Sequence, residues 1–151
     1  MSTSSFIGRK NLDGSVLGIT CHYDGDIAGN GIILDKYYND SEKVNTLIRL
    51  GALSSLGPKT GRKVDFHNPG EALLTQCIAY NRDRGDTLEF IKHRNDKTSM
   101  RWRQEFIYIY DTKDNTWYVY DHNANRVKLK TVIQDECETN RNHIIDRLAK
   151  I

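Results

Sequence analysis

Residues 105–110 and 116–120 constrain this chain more than any other stretch. Both segments are aromatic and β-branched, and Thr112-Lys113-Asp114-Asn115 lies between them, so they read as the two arms of a hairpin. A second hairpin is expected near the start, from 6–10 and 15–23, around Asn11-Leu12-Asp13-Gly14. Val16, Ile19 and Cys21 are its expected packed positions. Between the hairpins the pattern turns helical. Residues 28–38 repeat at helical spacing, with Gly29 and Gly31 weakening the start. Asp40 or Ser41 then caps a clearer helix, whose stripe is Val44, Leu47, Ile48 and Leu50 and whose stop is Gly51.

The rest of the chain adds smaller elements. Residues 52–70, holding both prolines, read as loop, 76–80 as a strand, and 81–85 as a charged turn. Residues 87–93 read as a short helix with Leu88 and Ile91 inward, and 127–129 as a short strand. Residues 131–150 read as a helix with Ile133, Cys137, Ile144 and Leu148 on its apolar face. The order is β-β-α-α-β-(α)-β-β-α. Hairpins at both ends imply an α+β fold: an antiparallel sheet of about five strands with helices mainly on one face. Alternating parallel βα units do not fit this order.

A chain of 151 residues suits a single domain, expected over 6–151 behind a flexible 1–5. Its 38% apolar residues, with eight Tyr, four Phe and two Trp, suffice for a core. A net charge of +2 argues against a strongly acidic DNA mimic, a highly basic coat protein and stable binding to duplex DNA. Any phosphate binding must come from a local cluster. Cys21, Cys77 and Cys137 are odd in number and far apart, which argues against a disulfide framework and for reduced thiols. The N-terminus lacks the layout of a signal peptide, and no apolar run approaches the roughly 20 residues that cross a bilayer. The expectation is a cytoplasmic protein without a membrane partner.

Several clusters carry potential chemistry. In Thr20-Cys21-His22-Tyr23-Asp24-Gly25, a His and a carboxylate near one strand end suit a polar strand end closed by an Asp-Gly turn, or else a general base or a metal. His67, His93 and His122 join such a site only through folding, and no spacing supports a metal. In Arg82-Asp83-Arg84-Gly85-Asp86, two planar cations beside a glycine suit phosphate or carboxylate, unless Asp83 and Asp86 already neutralise them. Gly57-Pro58-Lys59-Thr60-Gly61-Arg62-Lys63 has the wrong spacing for a nucleotide-hydrolysing phosphate loop, but Lys59, Arg62 and Lys63 suit a flexible basic flap. The run Lys92, His93, Arg94, Lys97, Arg101, Arg103, with Trp102 inside it, reads as a solvated face or a stacking surface. Tyr108, Tyr110, Tyr118 and Tyr120 read as cross-strand packing, or as a stacking surface if one sheet face is open.

Taken in order, Ile7-Gly8, Asp13-Gly14, Cys21-His22-Tyr23-Asp24-Gly25, Leu47-Ile48-Arg49-Leu50-Gly51, Leu53-Ser54-Ser55-Leu56-Gly57, Ala79-Tyr80-Asn81-Arg82-Asp83-Arg84-Gly85-Asp86 and Trp117-Tyr118-Val119-Tyr120 resemble a family of small proteins of tailed phages and prophages. The resemblance spans residues 6–121 and implies genomic context more than mechanism. It leads to a phage accessory protein that counters a host defence without catalysis or a cofactor. In the first form, it sequesters a small phosphate-bearing nucleotide. Arg82 and Arg84, with Asp83 between them, hold phosphate, His22, Tyr23 and Asp24 contact sugar or base, and Lys59, Arg62 and Lys63 close over the ligand. Pockets often form between subunits, so a homo-oligomer is expected. The second form is a protein that inhibits a host defence enzyme such as a nuclease effector, which calls for a flat exposed patch and no deep basic pocket. The third is a small phosphodiesterase-like enzyme using His22 and Asp24.

Overall fold

The computed structural model describes residues 3–97, 104–121 and 123–138. The first hairpin forms as expected, with β1 at Ser5–Lys10 and β2 at Val16–Cys21. Its turn closes because Gly14 takes a left-handed φ of +90° and the Asp13 carboxylate accepts from the Ser15 N–H and hydroxyl. The second forms too, with β6 at Phe106–Asp111 and β7 at Thr116–Tyr120, and β8, Arg126–Lys128, extends it. Three further strands are short: β3 at Leu53–Ser55, β4 at Ile78–Ala79 and β5 at Ile91–His93.

The helices follow capping chemistry. Asp26 caps a π-helical turn at Ile27–Gly31, which runs into α1 at Ile32–Tyr37. The Asp40 carboxylate accepts from the Lys43 N–H at 2.8 Å and starts α2, Ser41–Arg49. Val44, Leu47 and Ile48 bury its inner stripe, and Gly51, at φ +73°, turns the chain out. Single turns form α3, Ala72–Thr75, and α4, Tyr80–Arg84. A last helix, α5, runs over 129–138, with Leu129 buried.

The α+β class holds, but the sheet is larger than expected and mixed. Its eight strands among the described residues run β4-β3-β2-β1-β6-β7-β8, with β5 paired to β2 off this path. Both hairpins are antiparallel, yet they join in parallel, Ser5 facing Phe106 through Lys10 facing Asp111. β2 and β3 are parallel as well. The purely antiparallel expectation is therefore corrected: hairpin signals fix pairing inside each hairpin and say nothing of how two hairpins meet. The expected helix over 87–93 is corrected too. Ile91–His93 pairs with Gly18, Leu17 and Val16, where β2 has an open edge, and those backbone bonds prevail over a weak helical periodicity. The charged turn at 81–85 is the helical turn α4, ended by Gly85 at φ +84°. The expected strand over 76–80 shrinks to β4, and 52–70 contains β3. Cys137, expected on a buried stripe, is exposed, and Ile144 and Leu148 lie outside the described residues.

Both sheet faces are packed. Ile7, Ile19, Cys21, Tyr108, Tyr110 and Trp117 share the main core with α1 and α2. Phe6, Val16, Ile107, Ile109, Tyr118 and Tyr120 form a second layer on the other face, joined by Ile91 and Ala124. Here Phe6 lies against Gly8 and Gly18: a Cβ on either would come within 2.7 Å of the ring. All four tyrosines of the second hairpin are thus packing residues, at most 8% exposed.

Candidate functional site

Two strands share the outer edge of β2: β5 lies beside Val16–Gly18 and β3 beside Cys21. Where they part, the chain forks around an open hollow of about 300 Å³. Thr20 of β2 and His22 just past its end reach it, as do Tyr80 and Arg84 from α4 and Asp86, Thr87 and Glu89 from the lead into β5. The histidine edge of the first hairpin and one of the two arginines, Arg84, face a common space.

The Arg84 guanidinium lies over two rings, 4.6 Å from the centre of Phe66 and 4.7 Å from that of Tyr80. Asp86 clamps it in two-point fashion, Nε to Oδ1 at 2.9 Å and Nη2 to Oδ2 at 2.6 Å. That pairing holds the Asp86 carboxyl below its ordinary value and raises the pKa of Arg84. Tyr80 extends the cluster, its hydroxyl 3.4 Å from His22 Nδ1, and His22 lies against Tyr23 with ring centres 4.5 Å apart. On the other side Phe66 meets the ring of His67 edge-on at 5.4 Å. One strip of rings therefore runs His67, Phe66, Tyr80, His22, Tyr23, with a guanidinium laid on its middle. No family model, curated protein or solved structure matches the chain.

Arg82 and Asp83 do not join this face. The Arg82 side chain turns inward, donating to Thr60 O at 2.7 Å, Cys77 O at 2.8 Å and Asp83 Oδ1 at 2.9 Å. Asp83 is buried and accepts from the N–H groups of Ala79, at 2.7 Å, and Val64, at 3.0 Å. Burial alone would raise its pKa, but the hydrogen bonds from Arg82, Ala79 and Val64 outweigh burial and lower it. The pair is a brace between α4 and the preceding loop. The same brace corrects the mobile flap: Thr60 O is held by Arg82, Lys59 O by the Cys77 N–H, and Arg62 O by Gln76 Nε2 at 2.6 Å. The side chains of Arg62 and Lys63 are exposed, while Lys59 lines a different hollow beside the start of α2.

Asp24 is exposed in a left-handed turn, φ +59°, where its carbonyl accepts the Asn30 N–H. Among the described residues it makes no hydrogen bond or ion pair with His22. Among the described residues, no three His, Cys, Asp or Glu converge on a metal-sized site. Of the other histidines, His93 packs on Phe6 and His122 lies outside the described residues, as do Arg101, Trp102 and Arg103 of the basic run. Cys21 and Cys77 are buried, and burial pushes the Cys21 thiol up to about 12. Sequence reasoning missed Phe66 and Glu89. Phe66 stands alone in a polar loop with no periodicity to mark it, and only folding brings it to Tyr80.

Proposed function

We propose that this chain is a phage accessory protein that works by docking on a host protein, such as a defence enzyme, through the ring strip and Arg84. The observation that carries this reading is the two-point clamp of Arg84 by Asp86 on top of Phe66 and Tyr80. A guanidinium held in place loses little freedom on binding, and exposed Tyr and Arg side chains of this kind dominate protein interfaces. A phosphate ligand at the same face would need unpaired cations. Arg82 and Arg84 are each spent on a neighbouring carboxylate, and Glu89 adds negative charge to the hollow. The partner is met in the cytoplasm of the bacterial host.

The test is capture of the partner from host extract, its reconstitution with the purified chain, and measurement of Kd. Tyr80→Ala and Arg84→Ala each weaken binding by about 30-fold, the size of an interface hot spot, with unchanged circular dichroism. Unchanged affinity in both variants defeats the reading. So does turnover of a phosphodiester that His22→Ala abolishes, which supports an enzyme instead.

A further inference from the structure

Strand register sets three side chains in a row on the sheet face that carries α2. Arg9 of β1 pairs across to Leu17 of β2, and Leu17 pairs across to Lys92 of β5. α2 adds Ile48 and Arg49, and Phe90 adds a ring, around a hollow of about 350 Å³. None of the described residues lining this hollow is acidic.

Its cations differ from those of the molecule that a carboxylate holds. Lys10, Lys43, Arg82, Arg84, Arg126 and Lys130 each pair with a carboxylate. Among the described residues, Arg9, Arg49 and Lys92 form no ion pair. Arg9 is instead oriented by neutral amides: Nε donates to Asn11 Oδ1 at 2.8 Å, and Nη1 donates to Asn45 Oδ1. An amide oxygen fixes the direction of a guanidinium without cancelling its charge. Arg49 also suits the negative end of the α2 dipole, but that role accounts for neither Arg9 nor Lys92.

We propose that this hollow binds a small phosphate-bearing ligand with a planar group, of the nucleoside monophosphate class. Arg9, Arg49 and Lys92 meet the phosphate, with Leu17 at the floor between Arg9 and Lys92. Phe90, 40% exposed, offers a ring face to the planar group. This site is distinct from the phosphate site expected at Arg82 and Arg84: its cations lie on β1, α2 and β5. The hollow shares no lining residue with the fork, so either proposal can fail while the other stands.

Calorimetric titration at low salt, with inorganic phosphate and adenosine monophosphate as probes, tests this. The nucleotide binds roughly tenfold or more tighter than phosphate, as one stacked base requires. Arg49→Gln and Lys92→Gln each weaken both probes by roughly tenfold or more. Phe90→Ala removes the advantage of the nucleotide, and Lys113→Gln, on the β6–β7 turn, leaves both affinities as they were. Arg9 braces β1 against α2, so the two exposed cations serve as the variants. Absence of binding by either probe at millimolar concentration overturns the proposal, and so do affinities unchanged in Arg49→Gln and Lys92→Gln. Equal binding of the two probes, insensitive to Phe90→Ala, overturns the planar part of it.

Discussion

Replacing Asp83 by Ala is expected to destabilise the protein by about 3 kcal/mol. The substitution removes the carboxylate that faces Arg82 and leaves the N–H groups of Ala79 and Val64 without their acceptor. Breaking a buried pair costs about 3–5 kcal/mol, and the lower figure applies because the Arg82 side chain keeps 18% of its surface exposed. For a chain of 151 residues, 3 kcal/mol corresponds to a fall in Tm of about 6–12 °C. The folded carboxyl has a lowered pKa, so its contribution is complete above the ordinary carboxylate value of 3.8 and is lost as pH falls through the folded value. Urea unfolding, followed by circular dichroism at a series of pH values, reads both effects. The gap between wild type and Asp83→Ala is full at pH 7 and narrows below pH 3.8. Arg82→Ala combined with Asp83→Ala costs less than the sum of the two single changes, because each removes the same interaction. A loss under about 1 kcal/mol, or a gap that does not change with pH, refutes the brace.

Gly18→Ala places a methyl 2.4 Å from the Phe6 ring and 2.7 Å from Ile7 O, and is expected to cost about 2 kcal/mol by urea unfolding. Tyr38→Phe removes a buried 2.7 Å hydrogen bond to Gly57 O and is expected to cost about 1–2 kcal/mol by the same measurement. Titration of the folded protein with a disulfide reagent at pH 8 should modify Cys137 quickly. The buried thiols of Cys21 and Cys77 should react only after denaturant is added, and fast native reaction of all three contradicts the packing around them.

Local chemistry made part of this fold legible without coordinates. The Asp13-Gly14 turn, the Asp40 cap, the Val44, Leu47 and Ile48 stripe and the Gly51 stop each depend on residues a few positions apart, and each forms as the chain order implies. The β6–β7 hairpin is legible for the same reason. The charge balance of Arg82-Asp83-Arg84-Gly85-Asp86 was also visible in outline, because neighbouring carboxylates stand ready to pair with both arginines. Their separate fates were not visible: one turn of helix sends Arg82 inward to Thr60 and Cys77 and leaves Arg84 on the surface.

The rest was decided by contacts between distant segments. Ser5 pairs beside Phe106, and Lys92 reaches Leu17 only because β5 fills an edge of β2 that no local pattern announces. Backbone groups at a strand edge bond to whatever chain can reach them, so the parallel join of the hairpins, the fork beside Thr20 and the row from Arg9 to Lys92 follow from the packing of the whole chain. Turns, caps and stripes were set by short-range chemistry along the chain. Which cations kept their charge uncompensated was set only when the sheet closed, because pairing across space is a matter of distance, and distance between remote residues belongs to the folded state.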